Sequence, residues 1–311
     1  CGGHAFAHVS YPRQLRLKGE IMADAFARIG RHDLGRTPDV LPSPERGYRT
    51  RARLHASGGR IGFVREDSHE VCDAASTGQL SDAAADWVTA LERRLAPDVR
   101  AGMAHVDLAE SLDGTQLVAH VVCRGRQART ALAPLTAGLQ GLSIETGPGD
   151  AVQLTGSSVL HERIVLGPPP GGVLALSRDV RSFFQGNRFL LPALVALVID
   201  AVREGPLLDL YSGVGLFGLA ARAAGAEEIV LVEGDPQSAA DLRRNAASQA
   251  GVRTDGRSVE RFLASPSGRA PRTVIVDPPR TGLSKDALAG LVRLAAPRLI
   301  YVSCDMPTLA R

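Results

Sequence analysis

From Ser182 onward, apolar and polar positions settle into a regular beat of short apolar runs and longer stretches with helical periodicity. Pro206–Leu210, Glu228–Val232, Val252–Asp255, Thr273–Val276 and Arg298–Val302 predict strands, several of them rich in β-branched residues. Between them, Leu216–Ala224 predicts a helix stopped by Gly225, and a second helix runs from about Ser284 to Ala296. Asp235 and Pro236 supply an N-cap and a first-turn proline for a further helix ending near Gly251. Strand–helix units of this length predict a parallel sheet covered by helices on both faces, an α/β fold. The preceding part is less regular. Arg49–Leu54, Arg60–Val64, Gln116–Val122 and Ala151–Leu154 read as strands around a helix at Leu80–Leu95, a smaller α+β domain. One helix, Tyr11–Ile29, precedes the proline-rich run Pro38–Pro44, which reads as a linker, and Gly167–Gly172 reads as a loop near a domain edge. The expected division is an N-terminal segment 1–47, a central domain 48–180 and a parallel-sheet domain 181–311.

Composition narrows the class. At 311 residues, 44% apolar and 22% charged, the chain is long enough for about two domains and too apolar to be a disordered tail. Its longest apolar run, Leu190–Ile199, is too short to cross a bilayer, so a cytoplasmic protein with no membrane partner is expected. The net charge of +3 permits a nucleic-acid partner without arguing for one. Four scattered cysteines, Cys1, Cys72, Cys123 and Cys304, do not form a disulfide framework.

In open parallel sheets, ligands bind beyond the carboxyl ends of the strands. Here four predicted strands end in chemically able residues: Asp209–Gly215, Glu233, Asp277–Arg280 and Ser303–Asp305. Gly213, Gly215 and Gly218 form a turn that lets backbone approach a cofactor. With Glu233 ending the next strand, the turn suits either NAD or S-adenosylmethionine. Asp209 lies where a carboxylate would crowd a pyrophosphate but could face a cationic methionine moiety, which favours the latter. Asp277-Pro278-Pro279 resembles the Asp-Pro-Pro-Tyr of amino-group methyltransferases, but Arg280 stands in place of the aromatic residue. Cys304 lies past the apolar strand that ends at Val302, where a thiolate could attack rather than pack as an inert core residue.

Five segments together resemble the RNA 5-methyluridine methyltransferases that act on transfer or ribosomal RNA. They are Phe183–Asn187, Asp209–Phe217, Val232–Asp235, Val276–Gly282 and Tyr301–Arg311. The resemblance implies a Rossmann-like class I methyltransferase domain, S-adenosylmethionine as cofactor and RNA as partner. It implies Cys304 as nucleophile toward uracil, and Gln185, Asp209, Tyr211, Gly213, Gly215, Glu233 and Asp277 at the cofactor. Leu216 stands where many relatives place asparagine, and Met306 and Pro307 replace the usual Pro-Ala. The other readings are an RNA-binding relative, a methyltransferase of another substrate, or an NAD-dependent dehydrogenase, which the Cys304 and Asp277 segments disfavour.

Many relatives hold an iron–sulfur cluster on four cysteines. Here Cys1 fits, His4 occupies the next cysteine position, no cysteine lies near Thr77, and Cys72 falls five residues early. A cluster needs its thiolates at fixed geometry, so none is expected, and no zinc on Cys1, His4, His8 and Cys72. The chain opens without an initiator methionine and stops inside the Cys304 motif, so it reads as a piece of a longer protein. Relatives carry their proton-abstracting glutamate downstream of that motif. The expectation is an incomplete domain, with an uncovered last strand, that does not turn over alone. A monomer is expected.

Overall fold

A computed structural model describes residues 6, 8–57, 60–65, 68, 70–124, 127–167 and 172–311. The chain forms two compact units. One holds 43–164 and 175–191, the other 6–42, 165–174 and 192–311. The middle of the Gly167–Gly172 run lies outside the described residues.

Helix α1 (Tyr11–Arg28) belongs to the second unit and starts with Pro12 in its first turn. Gly19 allows the following chain to return against it, since a Cβ there would sit 2.8 Å from Thr37 Cγ2 and 2.9 Å from Pro38 O.

The first unit is built on strands β1 (Arg51–Ser57), β2 (Arg60–Val64) and β3 (Val71–Asp73), then helices α2 (Asp82–Arg94) and α3 (Pro97–Gly102). Strands β4 (Met103–Glu110) and β5 (Leu117–Cys123), helix α4 (Gln127–Leu132), β6 (Gly141–Glu145) and β7 (Val152–Gly156) complete it. The sheet order is β3-β2-β1-β4-β5-β6-β7. Only the β5–β6 pairing is parallel. Its core face, with Ala52, Leu54, Val106, Leu108, Ala119, Val121, Leu142 and Ile144, packs on Trp87, Val88 and Leu91 of α2. Because side chains alternate across a strand, the opposite face presents Arg53, His105, Asp107 and His120. There Arg53 donates twice to Asp107, at 2.8 and 2.9 Å. Strands β4 and β6 were not read from the sequence: His, Asp, Ser and Glu occupy one face, and only the Arg53–Asp107 ion pair and the His120–Ser143 hydrogen bond of the folded sheet make those residues compatible with a strand.

Strands β8 (Val159–Val165) and β9 (Val173–Asp179) pair as a two-stranded ribbon. It carries a fully buried ion pair, Arg178 Nε to Glu162 Oε1 at 2.8 Å. Arg178 also donates to Glu110 O at 3.0 Å and lies over the Phe184 ring. Glu162 accepts the Leu112 amide at 2.9 Å.

The second unit continues with α5 (Leu191–Asp200), β10 (Leu207–Leu210), α6 (Leu216–Ala223), β11 (Ile229–Val232) and α7 (Pro236–Ala246). It ends with β12 (Val252–Asp255), α8 (Val259–Ala264), β13 (Thr273–Val276), α9 (Lys285–Leu294), β14 (Arg298–Tyr301) and α10 (Met306–Ala310). All five strands are parallel in the order β12-β11-β10-β13-β14. This is the α/β sheet expected. Strands β10, β11 and β13 are buried along their whole length, as central strands covered on both faces must be. Helix α7 has the anticipated Asp235 cap on Ser238 N at 2.8 Å, but ends at Ala246. Gly251 instead turns the chain into β12 at φ +78°, where a Cβ would lie 1.9 Å from Glu227 O. Among the described residues no helix is long and apolar enough to cross a membrane.

Candidate active site

Parallel register lines up the ends of four adjacent strands. Leu210 pairs with Val232 on one side and Val276 on the other, and Val276 with Tyr301. The next residue on each strand, Tyr211, Glu233, Asp277 and Val302, therefore stands in one row beyond the last rung. Three of the four are polar. The thiol follows two residues later.

After β10 the backbone turns sharply. Tyr211 is at φ +58°, Gly213 at +56° and Gly215 at +99°. A tyrosine in the left-handed region is a strained residue that the surrounding structure must hold in place. The holding bonds are visible: Ser212 donates from N (3.0 Å) and Oγ (3.1 Å) to Val232 O, and Gly213 N donates to Glu233 Oε2 at 2.8 Å. Asn245 Nδ2 donates to Val214 O at 2.9 Å. The glycines differ in purpose. A Cβ on Gly213 would meet nothing within 4 Å, so this position faces open space, whereas on Gly218 it would lie 2.2 Å from Leu231 Cδ2. Gly213 leaves room above the turn, and Gly218 lets α6 lie close on β11.

Asp209 is fully buried beneath this turn. The first turn of α6 begins at Gly215, which has no side chain to cap it, and Asp209 Oδ2 accepts the Gly218 amide at 2.9 Å instead. Its Oδ1 finds no donor among the described residues. Burial, with Asp277 and Glu233 adding repulsion, pushes the carboxyl up to about 8 against the pull of the Gly218 amide. Glu233 is also raised by burial, while its bonds from Asp235 N and Gly213 N oppose the shift. Tyr211 is pushed up to about 12 by burial and by Glu260, Tyr301 and Glu233, so its phenol stays protonated.

Cys304 is free and exposed, in contrast to buried Cys123. Its loop is fixed on both sides: Ser303 Oγ accepts Asp305 N at 3.1 Å and donates to Asp305 O at 2.9 Å, and Asp305 caps α10 through Thr308 N at 2.9 Å. Tyr301 is raised by burial and then by the nearby charge of Asp277, which sets it electrostatically beside the row of strand ends. Sequence reasoning gave Tyr301 and Glu260 no part, since neither stands out until the strands are aligned. Gln185 lies in the other compact unit, half-buried, with its carbonyl accepting Thr50 Oγ1 at 2.9 Å.

The residues suit a cationic cofactor such as S-adenosylmethionine on two grounds: a buried carboxyl oxygen without a donor, and open space over Gly213. Cys1 and His4 of the degenerate cluster motif lie outside the described residues.

No protein-family model matches the chain. A "23S rRNA (uracil(1939)-C(5))-methyltransferase RlmD" of Halomonas elongata is 30% identical across the whole chain, which spans 68% of that relative. The chain belongs to the S-adenosylmethionine-dependent RNA 5-methyluridine methyltransferases. An "Uncharacterized RNA methyltransferase" of Streptomyces avermitilis is 29% identical, with all of this chain and 72% of the relative aligned. The fold is shared with a tRNA (uracil-54, C5)-methyltransferase of Pyrococcus abyssi in complex with S-adenosyl-L-homocysteine. That likeness has a TM-score of 0.75 at 23% identity over 100% of this chain and 78% of the other. The five-stranded parallel sheet with its helices has the Rossmann-like class I methyltransferase fold that the family resemblance implied.

Proposed function

We propose that this methyltransferase modifies carbon 5 of a uridine in structured RNA, ribosomal or transfer, with Cys304 as covalent nucleophile. The observation that carries the reading is an exposed free thiol held just past β14, at the same sheet edge as the glycine turn. The base is taken out of its stack to meet it, because neither face is reachable inside a helix.

Cys304 as thiolate forms a bond from sulfur to carbon 6 of uracil, and the displaced π pair spreads over carbon 5 and the carbon 4 carbonyl as an enolate. Carbon 5 thereby becomes nucleophilic. S-adenosylmethionine, when bound, supplies an electrophilic methyl group. Once carbon 5 is methylated, loss of its proton to a base returns the electron pair that breaks the sulfur–carbon 6 bond and frees Cys304. Asp209 Oδ1 is the acceptor proposed for the cationic methionine moiety, and Glu233, anchored through Gly213 N and Asp235 N, for the ribose hydroxyls. Tyr211, Gly213, Gly215 and Asp277 complete the proposed cofactor contacts. Gln185 is included on the family resemblance alone. The unit bearing the seven-stranded sheet is the proposed RNA-binding part.

The test is covalent trapping. RNA bearing 5-fluorouridine, with S-adenosylmethionine present, is expected to leave a stable adduct on the wild-type protein, since fluorine cannot leave as a proton. Cys304→Ala protein is expected to leave none. An adduct that survives the substitution overturns the mechanism. S-adenosylmethionine, but not NAD, is expected to raise the melting temperature.

A further inference from the structure

We propose that Gly30, just past the end of α1, is a positioning residue for the Cys304 thiol; the inference rests on the role assigned to that thiol above. Helix α10 starts two residues after Cys304, so its seat bears directly on where the thiol stands. That seat is set by what the helix leans on.

Two supports are visible. On one side Thr308 Oγ1 donates to Arg280 O at 3.4 Å, and Gly282, at φ +76°, admits the Thr308 methyl so closely that a Cβ there would lie 2.3 Å from it. On the other side is α1. A Cβ on Gly30 would lie 2.7 Å from Ala310 O and 2.9 Å from Phe26 O. The end of α1 thus meets the last turn of α10 backbone to backbone, with no side chain between. Ala310 is buried there, although Leu309 and Arg311 on either side of it are not.

The chain from Cys304 to Ala310 has little slack. Ser303 and Asp305 pin the loop, the Asp305 cap pins the start of α10, and Leu309 N donates to Asp305 O at 3.1 Å. A displacement at Ala310 is passed back along one helical turn to the residue that follows the thiol. Backbone contact leaves no flexible side chain to absorb it. An attacking atom must be held to a fraction of an ångström, and a misplacement of about 1 Å costs about a hundredfold in rate. An N-terminal helix remote in sequence is in this way part of the nucleophile's mounting.

The experiment compares Gly30→Ala with Gly251→Ala. The latter adds a methyl 1.9 Å from Glu227 O in the same unit, where β12 begins and the opposite edge of the sheet lies. Three quantities are measured: the single-turnover rate of adduct formation with 5-fluorouridine RNA, the affinity for S-adenosylmethionine, and the melting temperature. The expected result is an adduct rate at least about tenfold lower for Gly30→Ala, with cofactor affinity within about twofold of wild type. Gly251→Ala is expected to melt lower while reacting at the wild-type rate. Ala310→Gly, which frees the backbone at the same contact without adding bulk, is expected to slow adduct formation in the same direction and serves if Gly30→Ala does not fold. A wild-type rate in Gly30→Ala, or in Ala310→Gly where it stands in, overturns the inference alone, as does equal slowing by Gly251→Ala. Absence of an adduct on the wild-type protein overturns the proposed function and this inference with it.

Discussion

Asp209 illustrates how one residue changes meaning between sequence and structure. In the sequence it is a carboxylate ahead of a glycine turn. In the fold it is sealed beneath that turn, bonded to Gly218 N, with one oxygen unmatched and its carboxyl pushed up to about 8. In the unfolded chain an aspartate titrates near 3.9. Between those two values the folded protein keeps a proton that the unfolded chain has lost, so stability falls as pH rises through the window. The cofactor-free protein is expected to melt progressively lower from about pH 5 to pH 8, by about 2–4 °C for each kcal/mol lost in a domain of this size. Asp209→Asn, which keeps an acceptor for Gly218 but cannot ionise, is expected to flatten that slope. Scanning calorimetry across the pH range decides, and an unchanged slope in the variant removes the assignment.

Among the elements, the β10–turn–α6 unit separates two jobs that the glycine pattern runs together. Gly218 exists for packing, since α6 cannot approach Leu231 with a methyl in the way. Gly213 combines a left-handed backbone with open space above it. Gly218→Ala is expected to cost about 1–3 kcal/mol of stability through overpacking. Gly213→Ala is expected to cost roughly 1–2 kcal/mol for the backbone alone and to weaken S-adenosylmethionine binding by more than that loss explains, because its methyl enters the cofactor's space. Denaturant melts with a calorimetric binding titration on each variant separate the two effects. Equal binding losses in both variants contradict the division.

On the scale of the molecule, each compact unit has its own core, and the buried Glu162–Arg178 pair belongs to the unit without the thiol. Removing one charge of such a pair strands the other in the interior. Glu162→Gln is expected to destabilise the protein by about 3–5 kcal/mol. Because every strand end of the proposed cofactor site lies in the other unit, S-adenosylmethionine affinity is expected to stay within about twofold under conditions where the variant is folded. Urea titration and calorimetry measure both, and a parallel loss of affinity shows that the units do not act separately.

The parallel sheet was legible because its strands are buried on both faces and its helices carry periodic apolar stripes, so local pattern and tertiary environment agree. The clustering of Tyr211, Glu233, Asp277 and Cys304 at one edge followed from that topology, since the carboxyl ends of parallel strands must share a side. Strands β4 and β6 were illegible because their polar faces are tolerated only through partners far along the chain. The sequence alone determined the α/β sheet and the edge at which Tyr211, Glu233, Asp277 and Cys304 gather. Only the tertiary structure decided the left-handed Tyr211, the proton on Asp209 and the seating of α10 against α1, because each arises from burial or close approach between segments distant in sequence.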